Sequence, residues 1–205
     1  MRLRMKQSLL ILRFSRQILI IVLACALMRS AADGFDREFT RFTDKVSIEN
    51  FGQVSDRIYR GGQPSGDDFK ILNSLKVKTI LDLRADAEPT SKTDAEQAGF
   101  RYINLPLKPR EYPQAEAADS FLKIVNDEAN LPIYVHCAGG RHRTGVMVAV
   151  YRMKVDGWTV DQAYDEMKRF KFYTSWGHGC YKDYVYDFYR NAQIGSLDSK
   201  SAEDH

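Results

Sequence analysis

Cysteine is scarce in this sequence, with Cys25, Cys137 and Cys180 the only three in 205 residues. Cys25 lies in an N-terminal apolar run, so a chain without that run keeps two thiols. Cys180 is then either a resolving thiol that pairs reversibly with Cys137 or an ordinary half-buried cysteine. A metal cluster of these two residues with His136 and His178 is not expected, because neighbours on a strand point to opposite faces. We predict no metal and no other cofactor.

The sequence also lacks an excess of positive charge outside its N-terminus. Six of the 30 basic residues and no acidic residue lie within residues 1–32, although the whole chain has a net charge of +3. The remainder therefore has 24 basic and 27 acidic residues, a net charge of −3. A mildly acidic domain gives no support to nucleic-acid binding.

No apolar run is long enough for an ordinary membrane-spanning helix. The longest runs from Ile18 to Met28, follows a basic leader, and precedes the small residues Ser30-Ala31-Ala32. This layout is typical of a secretory signal peptide. We expect residues 1–32 to be a signal peptide or an N-terminal anchor, with lipidation at Cys25 as a further alternative. The protein would be exported to a periplasm or secreted, or held at the membrane by an uncleaved leader.

The rest of the chain has no internal repeat and no second domain. We predict a lead-in segment over 33–53, a catalytic domain over 54–192 and a disordered polar tail over 193–205. Short β-branched and aromatic runs predict four strands, near Ile58–Arg60, Val77–Leu83, Phe100–Leu105 and Ile133–Val135. Helical patterns between them favour a three-layer α/β fold, in which helices flank a central, mostly parallel sheet of four or five strands.

The most informative stretch is the loop between the last predicted strand and the next helix. It begins at Cys137, contains Gly139 and Gly140, and ends at Arg143, and we predict that an apolar helix begins near Thr144. Two glycines let successive backbone N–H groups turn towards one point, and the helix N-terminus adds partial positive charge. The loop therefore suits a tetrahedral oxyanion. It is not a nucleotide-binding P-loop, because Val146 stands where that motif needs Lys.

Each residue type in the loop suits phosphate chemistry. The local field favours the thiolate of Cys137, a nucleophile. The planar guanidinium of Arg143 can bind two phosphate oxygens. The Thr144 hydroxyl can donate a hydrogen bond to the sulfur, and His136 can order the loop from behind. We expect the phosphate-binding residues to be Ala138, Gly139, Gly140, Arg141, His142 and Arg143.

This loop matches the signature His-Cys-x5-Arg-Ser/Thr-Gly, through His136, Cys137, Arg143, Thr144 and Gly145. The sequence thereby resembles the cysteine-dependent protein tyrosine phosphatase superfamily. With Ile58–Ser65 and Leu81–Arg84 upstream, it is similar to the small atypical dual-specificity phosphatases of plants, fungi and bacteria. The resemblance spans about Val54 to Phe170. It implies a dual-specificity phosphatase-like fold and hydrolysis of phosphate monoesters through a phosphocysteine intermediate.

The general acid that protonates the leaving oxygen is not settled by the sequence. The superfamily usually keeps an Asp on the loop after the strand that precedes the Cys strand, here Lys108 to Pro113, and this loop has none. Glu111, its only carboxylate, is the first candidate, and Asp86 at the end of a neighbouring strand is the second.

A cationic rim around the loop would suit polyanionic substrates. Its predicted members are Arg84, Lys108, Arg110, Arg141 and His142. We expect a phosphorylated protein, a phosphoinositide or an inositol phosphate as substrate, and a monomeric enzyme that meets a membrane only through its leader. The alternatives are a catalytically silent phosphate-binding module and a rhodanese-like sulfurtransferase.

Overall fold

The computed structural model describes residues 46–203, with side chains as far as residue 194, so the predicted signal peptide lies outside the described residues. Five strands form one sheet: β1 (Gly52–Ser55), β2 (Ile58–Gly61), β3 (Thr79–Arg84), β4 (Arg101–Leu107) and β5 (Ile133–His136). The helices are α1 (Asp68–Ser74), α2 (Ser91–Gln97), α3 (Ala117–Asn126), α4 (Arg143–Lys154), α5 (Val160–Arg169) and α6 (Gly179–Glu203), with a 3₁₀ turn at Glu128–Asn130. No helix in this part of the chain has the length and apolar composition needed to cross a membrane.

The sheet has the order β1-β2-β5-β3-β4 and is parallel except for β1, which pairs antiparallel with β2 at one edge. The predicted mostly parallel sheet flanked by helices is confirmed. Strand β5 is central, and His136 at its end is level with Gly61 of β2 and Asp82 of β3. The carboxyl ends of these three strands therefore meet at one edge, where open α/β sheets place their sites.

Side chains alternate along each strand, so every strand contributes residues to both faces of the sheet. Ile133 and Val135 belong to one core cluster with the buried helix α4, which α3, α5 and α6 surround. Tyr134 and His136 lie on the opposite face and stack with their ring centroids 5.8 Å apart. Helix α4 is apolar on every side from Val146 to Val150, as a helix within a core must be.

Two predicted boundaries differ from the structure. Strand β1 begins at Gly52, so the end of the predicted lead-in over 33–53 belongs to the sheet, while residues 33–45 lie outside the described residues. Its sequence, Gly-Gln-Val-Ser, has no β-branched run, and antiparallel pairing with β2 makes it a strand. The predicted polar tail over 193–205 overlaps α6, which continues to Glu203. Polar composition does not stop a helix where no proline interrupts it.

Candidate active site

The loop from Cys137 to His142 connects β5 to the first turn of α4, as the sequence predicts. Cys137 is 3% exposed, at the floor of a cleft of about 580 Å³. Gly140 has φ of +66°, and a Cβ there would lie 2.4 Å from the carbonyl carbon of Gly61. Glycine is therefore required at this position both by conformation and by space.

Residues outside the loop hold its carbonyl groups. The N–H of Gln63 donates to the oxygen of Ala138 at 2.9 Å, and Asn50 Nδ2 donates to the oxygen of Gly139 at 2.6 Å. Arg60 Nη2 donates to the oxygen of Gly140 at 2.7 Å. Each trans peptide directs its N–H opposite to its carbonyl. Because hydrogen bonds hold these three carbonyls on the outer side of the loop, the N–H group of each next residue points to the inner side, where an oxyanion would bind.

Arg143 is directed across the loop and forms an ion pair with Asp86, which follows β3. Its Nη1 also donates to the Leu107 oxygen at 3.2 Å. Partial burial by itself would raise the pKa of Asp86, but the hydrogen bond and charge of Arg143 outweigh it and hold that pKa below its ordinary value. The carboxylate of Asp86 thus occupies the guanidinium that a phosphate would bind.

Thr144 and His136 support the loop from two sides. Thr144 is fully buried, and its Oγ1 has no hydrogen-bond partner among the described residues. His136 Nδ1 lies 3.2 Å from the Cys137 carbonyl oxygen. Burial lowers the pKa of His136 to about 4, against the opposing charge of Asp82, so the ring is neutral at physiological pH. A neutral ring donates from Nδ1 to the carbonyl.

The two candidates for the general acid lie in different places. Asp86 lines the cleft, together with Pro109 and Arg110. Glu111 lines a separate small pocket, and its half-exposed carboxylate lies 3.4 Å from Lys108 Nζ.

The cationic rim is smaller than the sequence predicts. Arg84 is buried and paired with Asp82 at 2.7 Å, because a bidentate contact with a carboxylate allows a guanidinium to be enclosed. His142 is not a cation at neutral pH, since burial and then the charge of His178 lower its pKa to about 4. Lys108 does not line the cleft. Of the predicted rim, Arg110 and Arg141 line the cleft, together with Arg143 of the loop itself.

Sequence reasoning missed several residues that form the site. Glu49 forms an ion pair with Arg141, and Asn50 beside it holds the loop. The Tyr181 hydroxyl accepts from the N–H of Arg110 at 3.0 Å and donates to the oxygen of Lys108 at 3.1 Å. The sequence does mark Tyr181 as the first of several aromatic residues at helical spacing. That spacing is typical of core packing, so it did not indicate a role in the site.

Aromatic rings form one wall of the cleft. His142 stacks on His178 with centroids 3.7 Å apart, and Tyr173 meets it edge-on at 4.5 Å. Cys180 is a free thiol beside this wall, bonded to the Gly177 oxygen at 3.6 Å, and burial raises its pKa. A resolving role for Cys180 stays a prediction. Within residues 46–203 no three His, Cys, Asp or Glu side chains are grouped as a metal site would require.

Known proteins resemble this chain over most of the described part. Residues 45–202 match a family model described as the tyrosine phosphatase family. A probable tyrosine-protein phosphatase, DG1060 from Dictyostelium discoideum, is 34% identical over 59% of this chain and 75% of its own length. The inositol diphosphatase DSP2 of rice is 32% identical over 59% of this chain and 61% of its own, so the chain spans less than two thirds of that relative.

A solved structure has the same fold. The core catalytic domain of the PP-IP phosphatase SIW14 from S. cerevisiae, in complex with citrate, superposes with a TM-score of 0.62 at 27% identity. The superposition covers 76% of this chain and 94% of that one.

Proposed function

The chain belongs to the tyrosine phosphatase family, and we propose that it hydrolyses phosphate monoesters with Cys137 as the nucleophile. One observation carries this proposal. Cys137 lies beneath a loop whose three carbonyls are tied outwards, with Arg143 across its mouth. That arrangement offers backbone N–H groups and a guanidinium to the equatorial oxygens of a phosphoryl group in transfer.

In the first step the Cys137 thiolate attacks phosphorus. The phosphorus–sulfur bond forms as the phosphorus–oxygen bond to the leaving alcohol breaks, and an acid protonates that oxygen. In the second step water attacks the phosphocysteine and loses its proton to the same carboxylate. The sulfur leaves as a thiolate, which the free hydroxyl of Thr144 stabilises by a hydrogen bond.

Asp86 is the carboxylate we assign as the acid. It lines the cleft, whereas Glu111 lines a different pocket. The pKa of Asp86 is lowered by its hydrogen bond and ion pair with Arg143. A bound phosphate competes for that guanidinium and brings negative charge, and both changes favour the protonated carboxyl. Substrate binding would therefore prepare Asp86 to donate a proton.

We propose inositol phosphates with several phosphate groups as the substrate class. Arg110, Arg141 and Arg143 line one cleft. Arg141 and Arg143 hold carboxylates that a polyanion can replace, and Arg110 has no ion pair among the described residues. The names of the rice and yeast relatives, an inositol diphosphatase and a PP-IP phosphatase, support this class.

A phosphorylated protein is the second candidate. The half-exposed ring of Tyr173 at the cleft, and the name of the Dictyostelium relative, favour it.

Hydrolysis of p-nitrophenyl phosphate with EDTA present, beside Cys137→Ser, tests the reaction. We expect metal-independent turnover that the substitution abolishes. Tight phosphate binding by the folded protein without turnover would favour a silent binding module. Sulfur transfer from thiosulfate to cyanide would favour a sulfurtransferase.

Phosphate release from an inositol pyrophosphate, inositol hexakisphosphate and a phosphotyrosyl peptide tests the substrate class. We expect the inositol compounds to be preferred, and Arg110→Gln to raise their KM more than that of p-nitrophenyl phosphate. Lys108→Gln is the matched control outside the cleft. Preference for the peptide, unaffected by Arg110→Gln, would select the protein substrate.

We also propose that the enzyme is an exported or leader-anchored monomer. The basic leader and the apolar run from Ile18 to Met28 support export. N-terminal sequencing of the protein from its native host tests cleavage, and light scattering tests the oligomeric state.

A further inference from the structure

Arg60 is a buried cation with an incomplete set of partners. It belongs to β2, is fully buried, and its Nε and Nη1 have no hydrogen-bond partner among the described residues. Glu166 is the carboxylate that acts on it electrostatically, but Glu166 is itself bonded to Arg152 at 2.7 Å. Burying a guanidinium without a carboxylate in contact is costly, and an apolar side chain of similar size would often be more stable.

The contacts of Arg60 place it directly beneath the Cys137 loop. Its Nη2 donates to the Gly140 oxygen at 2.7 Å, and the guanidinium lies 3.8 Å from the ring centroid of Phe170 at the end of α5. The same nitrogen lies 4.0 Å from where a Cβ on Gly145 would stand. Arg60 thus connects the loop to the start of α4 from the side opposite the cleft.

Two consequences follow for the loop. The hydrogen bond holds the Gly140 carbonyl outwards and so directs the next N–H, that of Arg141, into the phosphate site. The charge remains, because burial lowers the pKa of Arg60 only to about 10, with Glu166 and Cys137 opposing that shift.

Among the described residues, Arg60 is a cation that interacts electrostatically with Cys137. Arg143 approaches from α4, in a pair with Asp86. Tyr134 and Tyr181 interact electrostatically with Cys137, but burial raises the pKa of both phenols, so they are neutral at physiological pH. His136 is neutral as well.

We propose that Arg60 is a positioning residue, which holds the Cys137–Arg143 loop in its phosphate-binding conformation and stabilises the Cys137 thiolate from beneath. The inference rests on the proposed phosphatase function. It explains why a cation is kept in the core, where packing alone would favour an apolar side chain.

Alkylation of Cys137 by iodoacetamide, followed by mass spectrometry of its peptide across pH, tests the charge. In Arg60→Met the midpoint of reactivity should move up by about one pH unit, so that the rate at pH 6 falls about tenfold. Arg57→Met is the matched control, because Arg57 precedes the same strand but is exposed and paired with Glu128. Its midpoint should not move. A folded Arg60→Met variant with the wild-type midpoint would show that Arg60 only packs.

Arg60→Lys separates charge from position, and decides the question if Arg60→Met does not fold. Lysine keeps the charge but lacks the planar fork. We expect its alkylation midpoint to stay near the wild-type value while competitive binding of vanadate weakens at least threefold. Unchanged vanadate binding would overturn the positioning role. An alkylation midpoint that moves up by about one pH unit, as expected for Arg60→Met, would overturn the electrostatic role. Alkylation and vanadate binding need no turnover, so an inactive protein that still shows these effects would refute the proposed function alone.

Discussion

Asp86 and Arg143 form an ion pair across the mouth of the Cys137 loop, so the residue that should bind phosphate is held by the residue that should donate a proton. In the proposed mechanism, phosphate binding breaks this pair. The guanidinium then passes to the phosphate oxygens, and the carboxyl loses the partner that lowers its pKa. One displacement therefore couples binding of the substrate to preparation of the acid.

The acid assignment is tested by the dependence on the leaving group. Asp86→Asn should lower kcat/KM for an alkyl phosphate by about 10²–10⁴-fold, and should affect p-nitrophenyl phosphate only slightly, because p-nitrophenolate leaves without a proton. Glu111→Gln is the matched variant. If Glu111→Gln shows this difference and Asp86→Asn does not, the acid lies on the 108–113 loop.

The requirement for glycine at residue 140 predicts a loss of function out of proportion to the loss of stability. Gly140→Ala should reduce kcat/KM about 10²–10³-fold, because the loop must shift and misplace an N–H donor. Gly157→Ala is the control, since its φ is +70° with open space around it, and it should cost only about 1–2 kcal/mol in the free energy of unfolding. Urea unfolding and steady-state kinetics measure both. Equal kinetics in the two variants would contradict the proposed role of the loop.

The free hydroxyl of Thr144 predicts a defect in the second chemical step. Thr144→Val keeps the shape but removes the proposed hydrogen bond to the departing thiolate, which should slow hydrolysis of the phosphocysteine about 10–100-fold. The intermediate should then accumulate, as a burst of p-nitrophenol and as a phosphorylated Cys137 peptide after acid quenching. Thr144→Ser should behave like the wild type. A Val variant without a burst and with normal kcat would leave Thr144 a purely structural role.

The neutral state of His142 predicts a loss of stability in mild acid. Its pKa is about 4 in the folded protein against 6.5 ordinarily, so between these values the unfolded chain binds more protons. The free energy of unfolding therefore falls as the pH drops from 6.5 towards 4, and is fully retained above 6.5. At pH 5 the contribution of this half-buried ring is about 1 kcal/mol.

His142→Phe tests this contribution. It keeps an aromatic ring in the stack, and the buried Nε2 that it removes has no hydrogen-bond partner among the described residues. The difference in unfolding free energy between pH 7 and pH 5, measured in urea, should be about 1 kcal/mol smaller than in the wild type. An equal pH dependence in both proteins would contradict the assignment.

The chemistry of this chain was determined by one continuous stretch of sequence. Cys137, two glycines and Arg143 stand between an apolar strand and an apolar helix, and both elements form where local patterns predict them. Nucleophile, oxyanion loop and guanidinium are neighbours in sequence, so their spacing alone brings them together. The four parallel strands β2 to β5 were predictable for the same reason, since each of them carries its own β-branched and aromatic run.

Only the tertiary structure decided what surrounds that stretch. Asp86 rather than Glu111 lines the cleft, Arg84 leaves the rim for a buried pair, and His142 is neutral. Arg60, distant in sequence, lies under Gly140. Charge, burial and pairing at these positions depend on contacts between segments far apart in the chain. A pattern of residue types does not show which distant segment a side chain will contact. The residues and position of the loop follow from the local sequence, whereas the electrostatic environment of the loop arises from packing between distant segments.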